Sequence, residues 1–181
     1  MSGIIGSRFN MRGSGLVGSL GTDGQVFTSS GAGAGAVFEA AAAGGTNTPN
    51  FYVDKNDLQS FSADTTTKVA FDDVVYDTAS AYDASNYKYV IPTGQGGTWF
   101  IHGCIRTSSA TDSDDWNVYI YKNGSEIGRV NVGHHNYESA AVSQILVLAA
   151  ADYIEIFART KDTWNACEED TNNFFWGFKL A

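Results

Sequence analysis

Residues 116–132 read Trp-Asn-Val-Tyr-Ile-Tyr-Lys-Asn-Gly-Ser-Glu-Ile-Gly-Arg-Val-Asn-Val, and the pattern in this stretch decides the fold class. Trp116, Val118 and Ile120 alternate with polar and phenolic residues, which is the period of a β-strand with one buried face. The Asn123-Gly124 pair that follows accepts the positive φ angles of a type I′ turn. Because a second run of β-branched residues comes after the turn, the stretch predicts an antiparallel β-hairpin.

The same pattern extends in both directions from this hairpin. From residue 51 to the carboxyl terminus, short β-branched and aromatic runs are separated by polar turns, and no run has the period of an amphipathic helix. About eight to ten antiparallel strands of this length predict an all-β sandwich or jelly roll. The runs cover residues 67–76, 87–91, 98–106, 116–121, 126–132, 141–148, 153–159 and 174–180.

The first fifty residues have a different composition. They hold twelve of the 20 glycines, and their apolar residues are too sparse to build a core. We therefore divide the chain into a glycine-rich extended amino-terminal arm, residues 1–50, and a head, residues 51–181. Composition alone fits a disordered linker equally well, but residues 25–28 and 36–39 flank a Ser-Gly-Ala-Gly-Ala-Gly turn and predict a small hairpin. The apolar side chains expected to anchor the arm are Ile4, Ile5, Phe9, Leu16, Val17, Val26 and Phe27.

Charge and hydropathy exclude several classes of partner. The net charge is −9, and all of it falls in residues 51–181, so the head repels nucleic acid and anionic membranes. The longest apolar run, residues 145–151, is too short to cross a bilayer. Residues 1–6 lack the charged and apolar regions of a signal peptide. We expect no nucleic-acid binding, no membrane insertion and synthesis in a cytoplasm.

Six motifs in the head occur in the order found in a known family. They resemble those of the globular head of complement's first component and the related tumour-necrosis-factor jelly rolls. Ala151 departs from the pattern, because the family usually has glycine before the aspartate of this turn. The matching segments are Phe61-Ser62-Ala63, residues 68–72 with Tyr82-Asp83, residues 87–92 with Gly97-Thr98-Trp99-Phe100, residues 120–124, residues 146–156 and residues 174–180.

The resemblance implies a homotrimer. Jelly rolls of this family associate about a threefold axis through aromatic and aliphatic residues on one sheet. The chain contains 4 Trp, 9 Tyr and 11 Phe, which is more than one small sandwich core can hold, so several are expected in a subunit interface. Alternation does not say which face of each strand is inward. The candidates for the trimer interface are Tyr87, Tyr89, Trp99, Tyr119, Tyr153, Phe174 and Trp176.

The arm carries a second resemblance. Residues 21–31, Gly-Thr-Asp-Gly-Gln-Val-Phe-Thr-Ser-Ser-Gly, are similar to a segment of many fibre and appendage proteins of tailed phages. Residues 1–8 resemble the start of short structural proteins of phages, including those of marine and cyanobacterial hosts. The resemblance implies a structural virion protein: a capsid decoration protein, a head fibre or a short tail fibre. Its arm would bind other virion proteins, and its head would lie on the virion surface.

An alternative function is a receptor- or carbohydrate-binding tail tip. Exposed tryptophan stacks well on sugar rings, and a host surface glycan would be the ligand; the same tryptophans could equally be core or interface residues. No G-x-S-x-G, H-E-x-x-H or paired-carboxylate motif occurs, so we expect no enzymatic activity. The ligand-binding candidates are Trp116, His134, His135, Tyr137 and Trp164.

No cofactor or metal is expected. His134 and His135 are adjacent, and neighbouring residues of a strand point to opposite faces, which disfavours a shared metal ion. The acidic residues at 112–115 and 168–170 could hold calcium in a loop or be solvated; they lack the glycine and distal glutamate of an EF-hand. Cys104 and Cys167 do not form a disulfide framework, and two buried thiols are favoured over a bridge.

Overall fold

The computed structural model describes the chain in six stretches, residues 25–28, 37–40, 49–109, 113–134, 138–166 and 172–180. The chain divides into two compact units, Met1–Thr46 and Asn47–Ala181, where the sequence predicted a boundary after residue 50. In the first unit, β1 (Gln25–Thr28) and β2 (Val37–Ala40) pair antiparallel, as the flanked glycine turn predicts. Val26 and Phe27 lie in β1. The other five predicted anchors, Ile4, Ile5, Phe9, Leu16 and Val17, lie outside the described residues.

The second unit is an antiparallel β-sandwich, which confirms the all-β jelly-roll prediction. Thirteen strands are described, more than the eight to ten expected, because several have only two or three residues. They are β3 (Asn50–Asp54), β4 (Gln59–Phe61), β5 (Thr67–Lys68), β6 (Asp73–Asp77), β7 (Tyr82–Asp83), β8 (Lys88–Val90), β9 (Gly97–Ser109), β10 (Ser113–Lys122), β11 (Ser125–His134), β12 (Ser139–Leu148), β13 (Tyr153–Thr160), β14 (Trp164–Ala166) and β15 (Phe174–Lys179).

The strands form two sheets. The six-stranded sheet has the order β11-β10-β13-β8-β7, with β5 paired to β13. The seven-stranded sheet has the order β4-β14-β9-β15-β3-β6, with β12 paired to β9. After β9 the chain alternates between the sheets: β10 and β11 join the first, β12 the second, β13 the first, and β14 and β15 the second. This repeated crossing encloses one core between the sheets.

The core is rich in stacked rings. Phe51 of β3 lies parallel to Tyr89 of β8, with centroids 3.9 Å apart, and meets Phe175 of β15 edge-on at 4.8 Å. Rings in these arrangements gain about 0.5–1.5 kcal/mol beyond the burial of their apolar area. Trp116 and Val118 of β10 are also fully buried in this core. The two sheets are therefore joined by aromatic contacts.

One predicted strand is interrupted. Residues 67–76 form two strands, β5 and β6, on different sheets, and the single run predicted there is wrong. The reason lies in the segment that connects β5 to β6, where Val69 and Phe71 are both fully buried in the core. The carboxylate of Asp72 then accepts hydrogen bonds from the backbone N–H groups of Asn56 and Asp57, at 2.8 and 3.1 Å. The chain therefore crosses from one sheet to the other at this point.

The predicted hairpin turn is confirmed. Asn123 and Gly124 have φ of 51° and 76°, and Lys122 pairs with Ser125 across the turn. Asp152 of a neighbouring turn accepts hydrogen bonds from Asn123 Nδ2 at 2.7 Å and Lys122 Nζ at 2.8 Å. Lys122 and Asn123 hold the pKa of Asp152 at about 2. Because this pKa is below the ordinary carboxyl value, the contact stabilises the fold above about pH 4 and is lost as the pH falls toward about 2.

The backbone of Ala151 adopts a strained conformation. Its φ is 69°, a left-handed conformation that glycine adopts without penalty and that costs an L side chain about 1 kcal/mol. We expect Ala151→Gly to raise the free energy of unfolding by about 0.5–1 kcal/mol in denaturant titrations. Ala150 in the same turn has no positive φ, so Ala150→Gly should lower it slightly. Equal effects of the two substitutions would contradict the assignment of strain to residue 151.

Candidate functional site

The outer surface of the seven-stranded sheet carries an unusual concentration of aromatic side chains. On β15, Phe175 and Gly177 point into the core, so Phe174, Trp176 and Phe178 point away from it. The neighbouring strands β9, β12, β3 and β6 continue this surface in both directions. We call it the aromatic face, and define it by Tyr52, Tyr76, Phe100, His102, Ile145, Val147, Phe174, Trp176 and Phe178.

One row of the aromatic face crosses five strands. Ser143, His102, Trp176, Tyr52 and Tyr76 are successive partners in the antiparallel register, so their side chains project from the same side of the sheet. The rings of His102 and Trp176 have centroids 5.0 Å apart, and those of Tyr52 and Tyr76 are 6.0 Å apart. The row forms a continuous band of rings from β9 to the edge strand β6.

A second row lies beside the first. Phe100 and Phe178 are register partners with centroids 5.7 Å apart, and Phe100 also lies 5.3 Å from Trp176. On the adjoining strand β12, Ile145 is opposite Phe100, and Val147 follows it on the same side. These two aliphatic side chains are 63% and 78% exposed, the largest values among the exposed apolar residues described. The apolar surface therefore reaches both edges of the sheet.

The polar groups of the aromatic face are few. Nδ1 of His102 and Oγ of Ser143 are hydrogen-bonded at 2.7 Å, and burial lowers the pKa of this histidine. Cys104, two residues along β9, is a free thiol, and burial raises its pKa. Of the described outward side chains on β9, β12 and β15, only that of Arg106 carries a formal charge, and it lies at one end. Contiguous apolar surface of this kind marks an interaction site.

Two of the predicted interface residues, Phe174 and Trp176, lie on the aromatic face. The prediction is wrong for Tyr89 and Trp99, which are fully buried in the core, with their centroids 5.7 Å apart. A side chain enclosed by its own chain has no surface to offer a second chain. Strand β9 carries large apolar residues on both faces, so alternation gave no means of choosing the outward one there.

The other three predicted interface residues lie away from the aromatic face. Tyr119 and Tyr153 project from the outer side of the six-stranded sheet. Tyr119 is only 4% exposed, so its prediction as an interface residue is also wrong. The ring of Tyr153 lies under the ammonium group of Lys88, with Nζ 4.7 Å from the ring centroid. Tyr87 precedes β8 in a turn with φ of 51°. The remaining members of the aromatic face were not selected from the sequence.

The predicted sugar-stacking tryptophans are core residues. Trp116 and Trp164 are 0% and 1% exposed, with centroids 5.9 Å apart, so their assignment to ligand binding is wrong. His134 ends β11, whereas His135 and Tyr137 lie outside the described residues. The structure therefore removes both tryptophans from the candidate ligand site.

The predictions about metals, disulfides and membranes concern residues that the structure describes only in part. Within the described stretches, no three His, Cys, Asp or Glu side chains form a group that could hold a metal ion. The acidic residues at 168–170, like Cys167, fall outside those stretches, as does Asp112. In the same described part of the chain, no helix is long and apolar enough to cross a membrane.

Comparison with known proteins identifies the fold. No protein-family model and no curated protein matches this chain. The globular domain of zebrafish complement 1qA protein superposes with a TM-score of 0.53 at 13% identity, covering 74% of this chain and 98% of that one. The chain has the complement and tumour-necrosis-factor jelly-roll fold. Eiger TNF from S. frugiperda (0.54, 15%, covering 73% and 92%) and murine APRIL at pH 8.0 (0.58, 13%, covering 72% and 98%) have the same fold.

At 13–15% identity these complement and tumour-necrosis-factor jelly rolls share the fold with this chain, and the likeness carries nothing about ligands. The match covers about three quarters of the chain, which agrees with the extent of the six ordered motifs. The fold predicted from those motifs is therefore confirmed.

Proposed function

We propose that the chain assembles as a homotrimer through the aromatic face and displays its jelly-roll head as a structural component of a tailed-phage virion. The observation that carries the assembly is the band of rings across β9, β15, β3 and β6, together with exposed Ile145 and Val147 on β12. Removing such surface from water stabilises an assembly by about 25 cal/mol per Å² of apolar area. The apolar side chains of the aromatic face favour an apolar partner.

A second copy of the chain fits as that partner. A closed ring of three uses two different surfaces of each chain, one against each neighbour. The seven-stranded sheet has exposed apolar side chains at two opposite edges: Ile145 and Val147 on β12, and Val75 and Tyr76 on β6, which are 53% and 49% exposed. One edge of each chain can therefore meet the aromatic face of the next. The resemblance of the head motifs to trimeric jelly rolls supports three as the number of copies.

The virion part of the proposal is supported by the arm. Its residues 21–31 are similar to those of phage fibre and appendage proteins, and its irregular glycines permit close approach to other subunits. The arm would bind capsid or tail proteins, and the head would be displayed on the virion surface. The structural role is preferred to sugar binding, because Trp116 and Trp164 are buried and cannot stack on a glycan.

Two experiments test this proposal. Sedimentation velocity of the full chain at micromolar concentration and near-neutral pH should give the mass of three chains, and a single-chain mass would contradict the trimer. During infection, a chain lacking residues 1–45 should be absent from purified particles that contain the full chain. Normal incorporation of the truncated chain would contradict the anchoring role of the arm. Quantitative mass spectrometry would then separate capsid decoration, with hundreds of copies, from a tail location.

A further inference from the structure

One ring of the aromatic face belongs to an ionisable side chain. The imidazole of His102 lies 5.6 Å from the ring of Phe174, at an interplanar angle of 20°, and 5.0 Å from the ring of Trp176, at 33°. Its Nδ1 is hydrogen-bonded to Ser143 Oγ at 2.7 Å. The ring is part of the same band as Trp176. A second chain that covers Trp176 therefore also covers His102.

The described elements packed against His102 supply no adjacent carboxylate. On β12, the outward residues beside it are Ala141, Ser143 and Ile145, and on β15 they are Phe174 and Trp176. The titratable and charged groups that share this side of the sheet are Cys104 and Arg106 on β9, Tyr52 and Asp54 on β3, and Asp73 and Tyr76 on β6.

None of these groups is well placed to balance an imidazolium ion. Cys104 is protonated at neutral pH, because burial raises its pKa, and Arg106 has the same sign as a protonated histidine. Asp54 is opposite Phe174, one row away from His102, and is itself 94% buried with its own interactions. Within a single chain, burial already lowers the pKa of His102. A charge at this position is therefore disfavoured before any second chain binds.

We propose that His102 makes assembly through the aromatic face depend on pH, so that chains associate when this imidazole is neutral and separate when it is protonated. This regulation rests on the proposed homotrimer. Covering an ionised group without a partner charge is costly, so association favours the neutral ring and lowers its pKa further. A group whose pKa falls on association stabilises the assembly above its free-chain pKa and opposes it as the pH falls below that value.

The size of the effect follows from three copies acting together. Each histidine weakens association up to about tenfold per pH unit below its free-chain pKa. Three histidines acting together should therefore lower the trimer association constant by up to about 1000-fold per pH unit below that value. Carboxyl groups with ordinary pKa values near about 4 change little between about pH 7.5 and about pH 5.5. Histidine is thus the side chain whose ordinary titration falls in the window.

Sedimentation velocity of the full chain at about pH 7.5 and about pH 5.5 tests the proposal. The wild type should be trimeric at the higher pH and should dissociate at the lower one within a concentration series. His102→Phe and His102→Gln should stay trimeric at both, because neither side chain can be protonated. His135→Gln removes a different imidazole, and its dissociation at the lower pH as in the wild type would assign the pH dependence to His102. Circular dichroism at both pH values would verify that each chain stays folded.

The outcomes separate this inference from the proposed function. A wild type that is a single chain at about pH 7.5 would contradict the homotrimer itself. A wild type that is equally trimeric at both pH values would overturn the pH dependence and leave the trimer standing. The role of His102 would also be overturned if both of its variants dissociated at the lower pH as readily as the wild type. If His102→Phe alters assembly at neutral pH through its larger apolar ring, the pH response of His102→Gln decides whether His102 carries the pH dependence.

Discussion

The double substitution Ile145→Asp with Val147→Asp is expected to leave the head folded and to abolish the proposed trimer. Both side chains lie on the outer side of β12 and are 63% and 78% exposed, so their replacement removes few contacts within the chain. Substitutions at such positions usually change the free energy of unfolding by about 0.5 kcal/mol. In the assembly, however, each carboxylate would be buried against apolar surface without a partner. The cost is several kcal/mol per interface.

The trimer association constant should therefore fall by about three orders of magnitude or more, and light scattering at micromolar concentration should report single chains. Ser125→Asp is the matched control, because it adds the same kind of charge at an exposed position of β11 on the other sheet. It should remain trimeric. If the control dissociates equally, net charge and not the aromatic face governs assembly, and if the double variant stays trimeric, β12 lies outside the interface.

Gly177→Ala is expected to destabilise the head more than any surface change. An added Cβ would lie 2.8 Å from the carbonyl oxygen of Phe100, 2.8 Å from Ile101 Cδ1 and 3.0 Å from Phe51 Cε1. The carbonyl belongs to the paired strand β9, so it cannot move without disturbing the ladder between β15 and β9. Overpacking of a tight core costs about 1–3 kcal/mol, and we expect the upper end of that range here.

Denaturant titration should show a lower free energy of unfolding for Gly177→Ala, and the melting temperature should fall by about 10 °C. Gly128→Ala provides the control. Its Cβ would meet Gln144 Oε1 at 2.6 Å, but that atom is the end of a flexible side chain that can rotate away. The control should lose less than about 1 kcal/mol. A smaller loss for Gly177→Ala than for Gly128→Ala would contradict the packing argument.

Local sequence patterns predicted the structure correctly where two independent patterns coincided in the same stretch. Alternation and the Asn123-Gly124 pair together predicted β10, β11 and their turn, and the structure pairs these strands as expected. The departure from glycine at Ala151 marked a position that has a φ of 69° in the structure. The short strands β7 and β14 were missed because they show too few residues for a period. Their existence depends on neighbouring strands that supply hydrogen-bond partners.

The aromatic face could not be selected from the sequence. On β15, aromatic residues occupy adjacent positions, so Phe175 and Trp176 are equally good candidates for the inward side. On β9, Trp99 and Phe100 present the same ambiguity, and one of them was assigned incorrectly. Alternation sorts the residues of a strand into two sets, but it identifies the inward set only when one set is polar. In both strands each set contains an aromatic residue.

The sequence by itself determined that this chain has an all-β jelly-roll head and that its first fifty residues are rich in glycine, because strand period, turn chemistry and composition are local properties of neighbouring residues. Only the tertiary structure decided which apolar side chains are enclosed and which remain available to a second chain. The physical reason is that inward and outward are defined by the opposite sheet, which covers Tyr89 and Trp99 but leaves Trp176 and Val147 uncovered. Residues far apart in the chain create that distinction.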